Sequence, residues 1–119
     1  RRSDRLTIGC GTECSQIDAL TRPAALLARL STWYPAGTRL YIGSTEPSSY
    51  FEGLRSQYNL SFADDFRSGA LAGIHSNYAL YAVETLVFFG AVSMVETFDY
   101  ATSWLRHACF PATPLRVLK

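Results

Sequence analysis

Apolar residues recur at helical spacing near the start of the chain, within residues 21–37. Pro23 suits the first position of a helix, and Thr21 or Arg22 would cap it. Pro35 and Gly37 predict its end. The apolar positions of this stretch form one helical stripe: Leu26, Leu27, Leu30, Trp33 and Tyr34.

Three short apolar runs have the length of buried strands. They are "TRLYIGS" at 38–44, "NLSF" at 59–62 and "AVSMV" at 91–95. Between the first two runs, Ser49 and Glu52 stand in the S-x-x-E relation of a capping box, which predicts a helix from Tyr50 to about Tyr58. Residues 6–20 show no clear period and are interpreted as a loop, as are residues 63–73.

The strongest helical pattern covers residues 75–91 and ends at Gly90. Its apolar residues cover nearly the whole circumference, which predicts a helix buried between a sheet and another layer. A last amphipathic helix is predicted within 96–110, and Pro111 and Pro114 close the domain. Its apolar positions are Phe98, Ala101, Trp104, Leu105 and Ala108.

Helices and strands therefore alternate in the order α-β-α-β-α-β-α. This alternation predicts a single α/β domain over residues 1–119, a parallel sheet with helices on both faces. Three strands make a thin sheet, so we expect a further strand that ends at Arg1 and begins before this sequence. The chain also starts without Met or a signal-like segment, which favours a piece of a longer protein.

Composition narrows the function classes. Hydrophobic residues make up 48% of the 119 residues and charged residues 18%, which is typical of a folded domain. The net charge of +1 does not point to a nucleic-acid-binding surface or to a polybasic membrane patch. Glu84 and Gly90 interrupt the most apolar window, so any membrane anchor is expected outside this sequence.

Ligands of parallel α/β sheets bind beyond the carboxyl ends of the strands. Three segments are predicted at that edge: 1–4, 43–49 and 95–99. Gly43 permits close approach of a ligand, while Ser44, Thr45 and Ser48 offer hydroxyls near a helix N-terminus. Capping of the helix by the two serines at 48 and 49 explains the same residues without a ligand.

The other polar candidates each have a structural alternative. Arg1 and Arg2 suit phosphate oxygens or simply face solvent. Thr97 either caps a helix or holds a phosphate oxygen, while Glu96 and Asp99 complement the helix dipole. No P-loop, GxGxxG fingerprint or Ser/His/Asp arrangement is present in the sequence.

Acids, histidines and cysteines suggest little further chemistry. Asp64 and Asp65 either form a metal site or a general acid/base pair, or they are capping or solvated residues. His75 precedes a helix and His107 lies in a predicted last turn, where neither is expected to be a base. Cys10 and Cys14 either form a disulfide in a secretory compartment or stay as loop thiols, and no zinc pattern accompanies them.

Several segments, in this order, resemble GDP-fucose protein O-fucosyltransferase-like proteins, especially plant-type and divergent members. The segments are "RRSD", "DALTRPAALLARLSTWYPAGTRLYIGSTEP", "YFEGLRSQYNLSFADDF", "NYALYAVETLVF" and "VETF". The resemblance covers nearly the whole chain. Its specific part is "LYIGSTEP" with the "DDF" and "NYALYAVE" that follow.

The resemblance implies the second, donor-binding lobe of a GT-B glycosyltransferase, a Rossmann-like α/β fold. Arg1 would be the Arg of the family's His-x-Arg motif, which contacts the donor phosphate, and it is the candidate catalytic residue. Asp4 matches the acid of the "RRGD" variant. Gly43, Ser44 and Thr45 replace the family's "ATD" turn beside the nucleotide, with Glu46 as the nearby acid. The family's third motif is a turn near the donor phosphates, and residues 96–99 correspond to it here. Thr97 and Phe98 are similar in type to the family's residues, whereas Glu96 and Asp99 add negative charge.

The implied activity is transfer of fucose from GDP-fucose, with inversion, to a hydroxyl of a protein or glycan. The implied partners are the GDP-sugar donor, that acceptor and a first lobe of the same protein, without a metal. Golgi or endoplasmic reticulum lumen is the implied location, and this stretch alone is not expected to turn over. Two alternatives stay open: an inactive glycosyltransferase-like binding module, and an unrelated α/β module whose turns bind nothing.

Overall fold

A computed structural model describes residues 12–96 and 115–118, the side chains of 12–14, 115 and 117 excepted. The chain forms two compact units, Arg1–Asp65 and Phe66–Lys119. In the first unit, α1 (Thr12–Thr21) and α2 (Pro23–Leu30) precede β1 (Arg39–Tyr41), a first 3₁₀ helix (Ser48–Leu54) and β2 (Asn59–Ser61). A second 3₁₀ helix (Ala63–Phe66) follows β2 and runs across the boundary into the second unit. That unit also contains α3 (Asn77–Phe89), β3 (Met94–Glu96) and β4 (Leu115–Val117).

The first helix corrects the sequence interpretation, which made residues 6–20 a loop. Local bonds support it: Arg22 Nη2 lies 2.8 Å from Asp18 Oδ2, and Thr21 Oγ1 donates to Ile17 O at 2.7 Å. Arg22 then takes an extended conformation, with φ −64° and ψ 144°. Pro23 causes this break, because a proline disfavours helical geometry in the residue before it.

Pro23 begins α2 as predicted, but neither predicted cap is used. Arg22 is the N-cap residue and makes no side-chain capping bond, while Thr21 belongs to α1. The helix ends at Leu30, earlier than Pro35 predicts, and turns carry the chain through Trp33 and Tyr34.

The first 3₁₀ helix replaces the α-helix predicted from Tyr50 to Tyr58. Pro47 is its N-cap residue and no side chain caps it, so the predicted capping box of Ser49 is not formed. Glu52 instead bonds Arg55, with Oε2 to Nε at 3.1 Å. A 3₁₀ helix brings residues three apart onto the same side, and Phe51 and Leu54 are accordingly each 1% exposed.

The core of the first unit lies between α2, the first 3₁₀ helix and the sheet. Phe51 contacts Phe62 with ring centroids 5.8 Å apart, and Tyr50 edge-on at 5.1 Å. Within the described part of this unit, the buried apolar residues are Leu30, Phe51, Leu54, Tyr58, Leu60 and Phe62.

Strands β1 and β2 are parallel, with Arg39 opposite Asn59 and Tyr41 opposite Ser61. The predicted strand positions and parallel direction are therefore confirmed for this pair. The sequence pattern also predicts β3 in the same sheet. Within the described residues β3 instead pairs in parallel with β4, a strand that the sequence analysis missed. The Rossmann-like lobe stays a prediction.

The third helix begins and ends close to where the sequence predicts. Ser76 is its N-cap residue and Gly90 its C-cap residue. Its predicted burial is wrong: Tyr78 is 88% exposed and Leu86 66%. The 13-residue helix is about 20 Å long. The three-residue strands β3 and β4 each span only about 10 Å, half the length of the helix.

Candidate functional site

The candidate site lies at the carboxyl edge of the β1–β2 pair. Ile42 N donates to Ser61 O at 2.9 Å, which continues the ladder one step past β1. Because the strands are parallel, the segment after β1 and the segment after β2 leave the sheet at the same edge. These two segments are residues 42–47 and 62–66.

The turn of Gly43, Ser44, Thr45 and Glu46 follows β1 directly. Ser44 Oγ accepts a hydrogen bond from Glu46 N at 3.0 Å, the local bond by which serine stabilises turns. Gly43, Ser44 and Glu46 are half-buried and Thr45 is exposed. The sequence prediction of a polar turn at this edge is confirmed, and one of its hydroxyls shapes the turn itself.

The helix after this turn offers less to an anion than the sequence predicts. It is a seven-residue 3₁₀ helix, too short for a sizeable dipole. Tyr50 N donates to Pro47 O at 3.0 Å. Ser48 and Ser49 are exposed and do not cap the helix.

The segment after β2 carries the two adjacent acids. Asp65 Oδ2 accepts from Phe62 N at 2.8 Å, so the capping alternative for this residue is confirmed. Asp64 is exposed beside it. Carboxylates after both strands make this edge acidic: Glu46, Asp64 and Asp65.

Four predicted site residues lie outside the described residues: Arg1, Asp4, Thr97 and Phe98. The predicted cluster at one edge therefore stays a prediction. Cys10 and the Cys14 side chain also lie outside, as do Asp99, His107 and the predicted helix within 96–110. Val95 and Glu96 belong to β3, in the second unit.

Two hydrogen bonds in this unit, one within a turn and one between distant residues, were missed by the sequence analysis. The Ser44–Glu46 bond could have been predicted, because a serine in a turn often bonds the backbone N–H of the residue two positions later. The buried Tyr58 donates its hydroxyl to Tyr34 O at 3.2 Å. Burial raises the pKa of the Tyr58 phenol. No sequence signal predicts that contact, because Tyr34 is distant along the chain.

Neither a metal-binding cluster nor a membrane-spanning helix is present among residues 12–96 and 115–118. No group of three His, Cys, Asp or Glu side chains there could hold a metal ion. No helix there is long and apolar enough to cross a bilayer. His75 is exposed and immediately precedes the N-cap residue of α3.

Comparisons of the chain with protein-family models, with curated proteins and with solved structures found no match.

Proposed function

We propose that this chain is the donor-binding lobe of an O-fucosyltransferase-like enzyme. The observation that carries the proposal is the half-buried turn of Gly43–Glu46 at the carboxyl edge of a parallel strand pair. Parallel α/β proteins bind nucleotides at this edge. The sequence resemblance selects GDP-fucose among the possible nucleotide ligands.

The nucleoside part of the donor is proposed to contact the turn after β1. Guanine presents its N1–H and its exocyclic amine as neighbouring hydrogen-bond donors, and a carboxylate such as that of Glu46 accepts two such bonds. Adenine and uracil lack this pair of donors. We therefore assign selectivity for guanine to Glu46, with Ser44 holding the turn in shape.

The diphosphate is proposed to contact Arg1 and the backbone near Thr97 and Phe98, with Asp4 beside Arg1. In the reaction the acceptor hydroxyl attacks C1 of fucose, the C1–O bond to the diphosphate breaks, and the hydroxyl proton passes to a general base. Arg1 is the candidate to stabilise the charge on the departing GDP. The base and the acceptor groove are proposed to lie in the first lobe.

The proposal extends to the whole protein and its location. Its partners would be GDP-fucose, a protein or glycan acceptor and the first lobe, with no metal in the transfer. The resemblance also supplies the proposed location, the lumen of the Golgi or endoplasmic reticulum.

A second candidate is a glycosyltransferase-like binding module without activity. The observation in its favour is the acidity of the same edge, since Glu46, Asp64 and Asp65 follow the two strands. Carboxylates repel a diphosphate unless arginine offsets them. Assay of the full-length protein for fucose transfer separates the two candidates, because only the first predicts turnover.

Calorimetric titration with GDP, GDP-fucose, ADP and UDP tests the proposal. We expect GDP and GDP-fucose to bind and the two control nucleotides to bind at least about tenfold more weakly. Glu46→Gln should reduce this preference. Arg1→Ala should weaken GDP binding by about tenfold or more, the range for a charged hydrogen bond.

Arg39→Ala is the matched control, because Arg39 is exposed at the amino end of β1. The Arg39→Ala variant should bind GDP with unchanged affinity. Equal affinity for GDP, ADP and UDP, or no binding by a folded chain, would contradict the proposal.

A further inference from the structure

Strand β2 contains the sequence Asn59-Leu60-Ser61, which has the N-x-S form of an N-glycosylation acceptor. The chain has only two asparagines, and the other one, Asn77, is followed by Tyr78-Ala79 and lacks the required hydroxyl. We propose that Asn59 is an N-glycosylation site.

The strand geometry presents this acceptor to solvent. Side chains alternate along a strand: Leu60 is buried in the core, while Asn59 is exposed and Ser61 half-buried. The asparagine and the serine of the motif therefore share the face opposite the buried leucine. A glycan at Asn59 would leave the core contacts of Leu60 intact.

The existing hydrogen bond of Asn59 is compatible with glycosylation. Nδ2 donates to Gly37 O at 3.1 Å in an exposed position. An asparagine amide has two N–H groups, and a glycan replaces one of them, so one remains to donate. Asn59 itself is exposed, which leaves space for a glycan on this amide.

Asn59 lies at the end of the sheet opposite the candidate donor site. It pairs with Arg39, and Gly43 follows four residues later, about 13 Å away at ~3.3 Å per residue. A glycan on Asn59 would extend from the amino edge and leave the turn of Gly43–Glu46 accessible. Glycosylation and donor binding are therefore compatible on one molecule.

The modification is a transfer from a lipid diphosphate-linked oligosaccharide. Asn59 Nδ2 forms a bond to C1 of the first sugar, the bond between C1 and the diphosphate oxygen breaks, and Nδ2 loses one proton to a base. The lipid diphosphate leaves. This chemistry occurs in the endoplasmic reticulum lumen, so the inference rests on the location given under the proposed function.

Mass spectrometry of the natural full-length protein tests the inference on the tryptic peptide 56–67, SQYNLSFADDFR. We expect a glycan on this peptide that a peptide-N-glycosidase removes, converting the amide of Asn59 to a carboxylate. Expressed in the same cells, Ser61→Ala should lose the glycan and Ser61→Thr should keep it. Both variants retain the Asn59 amide, so the pair separates glycosylation from folding.

Ala79→Thr supplies the matched control, because it completes a second acceptor at the exposed Asn77. A glycan at Asn77 in this variant without one at Asn59 would overturn the proposal. It would show that the protein passes through a glycosylating compartment and that Asn59 is not an acceptor there. No glycan at either position would also overturn it. Donor binding is measured separately with GDP, so neither result decides the proposed nucleotide site.

Discussion

Tyr58 combines burial with a polar contact across the first unit. Its hydroxyl donates to Tyr34 O, and burial raises its pKa above the ordinary value of a phenol. Above about pH 10 the unfolded chain loses this proton while the folded chain keeps it. The resulting stabilisation is complete below that pH and is lost as the pH rises through the folded-state pKa.

The Tyr58→Phe variant tests this interpretation. At pH 7 it should lose about 1 kcal/mol of unfolding free energy, the usual value of one hydrogen bond. Above pH 10 its stability should fall less with pH than that of the parent chain. Urea unfolding followed from pH 7 to pH 11 measures both effects. Tyr78→Phe, at an 88% exposed position, should leave the value at pH 7 unchanged; equal effects of the two variants would refute the role of burial.

Among the described residues of the first unit, Phe51 is the largest fully buried side chain. Phe51→Ala should destabilise the chain by about 3–5 kcal/mol, because it removes an aromatic ring and leaves a cavity. Phe66→Ala makes the same chemical change at a 42% exposed position and should cost less than half as much. The urea midpoints of the two variants measure the difference. Similar midpoints would show that the core does not centre on Phe51.

At the scale of elements, the sequence pattern predicted those helices and strands whose positions depend on neighbouring residues. The strands β1, β2 and β3 follow from apolar runs bounded by turns, and Ser76 and Gly90 define the ends of α3. The pattern could not distinguish a 3₁₀ helix from an α-helix at 48–54, because Phe51 and Leu54 are three residues apart and suit both.

Elements without an apolar pattern of their own were missed. Bonds between residues four apart support α1, including the Asp18–Arg22 ion pair. Strand β4 has only three residues and is defined by its pairing with β3. Pairing between distant segments leaves no mark on the local sequence.

The N-cap of α3 provides a test at this scale. Ser76 Oγ accepts from Tyr78 N at 3.2 Å, so Ser76→Ala should cost about 1 kcal/mol. Faster hydrogen exchange in the first turn of α3 should accompany the loss. Ser76→Asp keeps an acceptor and should preserve protection. His75→Ala is the control outside the cap; if it exposes the first turn as much as Ser76→Ala does, the capping interpretation fails.

At the scale of the whole molecule, the described residues include only half of the predicted site. The turn of Gly43–Glu46 follows from the rule for parallel strands and is where that rule puts it. The other half, Arg1, Asp4, Thr97 and Phe98, depends on how distant segments assemble. Local periodicity carries no information on such assembly, so the place of these four residues in the site stays a prediction.

The most direct test of the proposed nucleotide site is an NMR titration of the isotope-labelled chain with GDP. We predict chemical-shift changes in the amides of Gly43, Ser44 and Glu46, with small changes at Gly37 and Asn59 on the opposite edge. ADP at the same concentration should leave the turn unshifted. Changes centred on other residues with none in the turn, or equal changes with ADP, would contradict the assignment of this turn to a GDP-sugar donor.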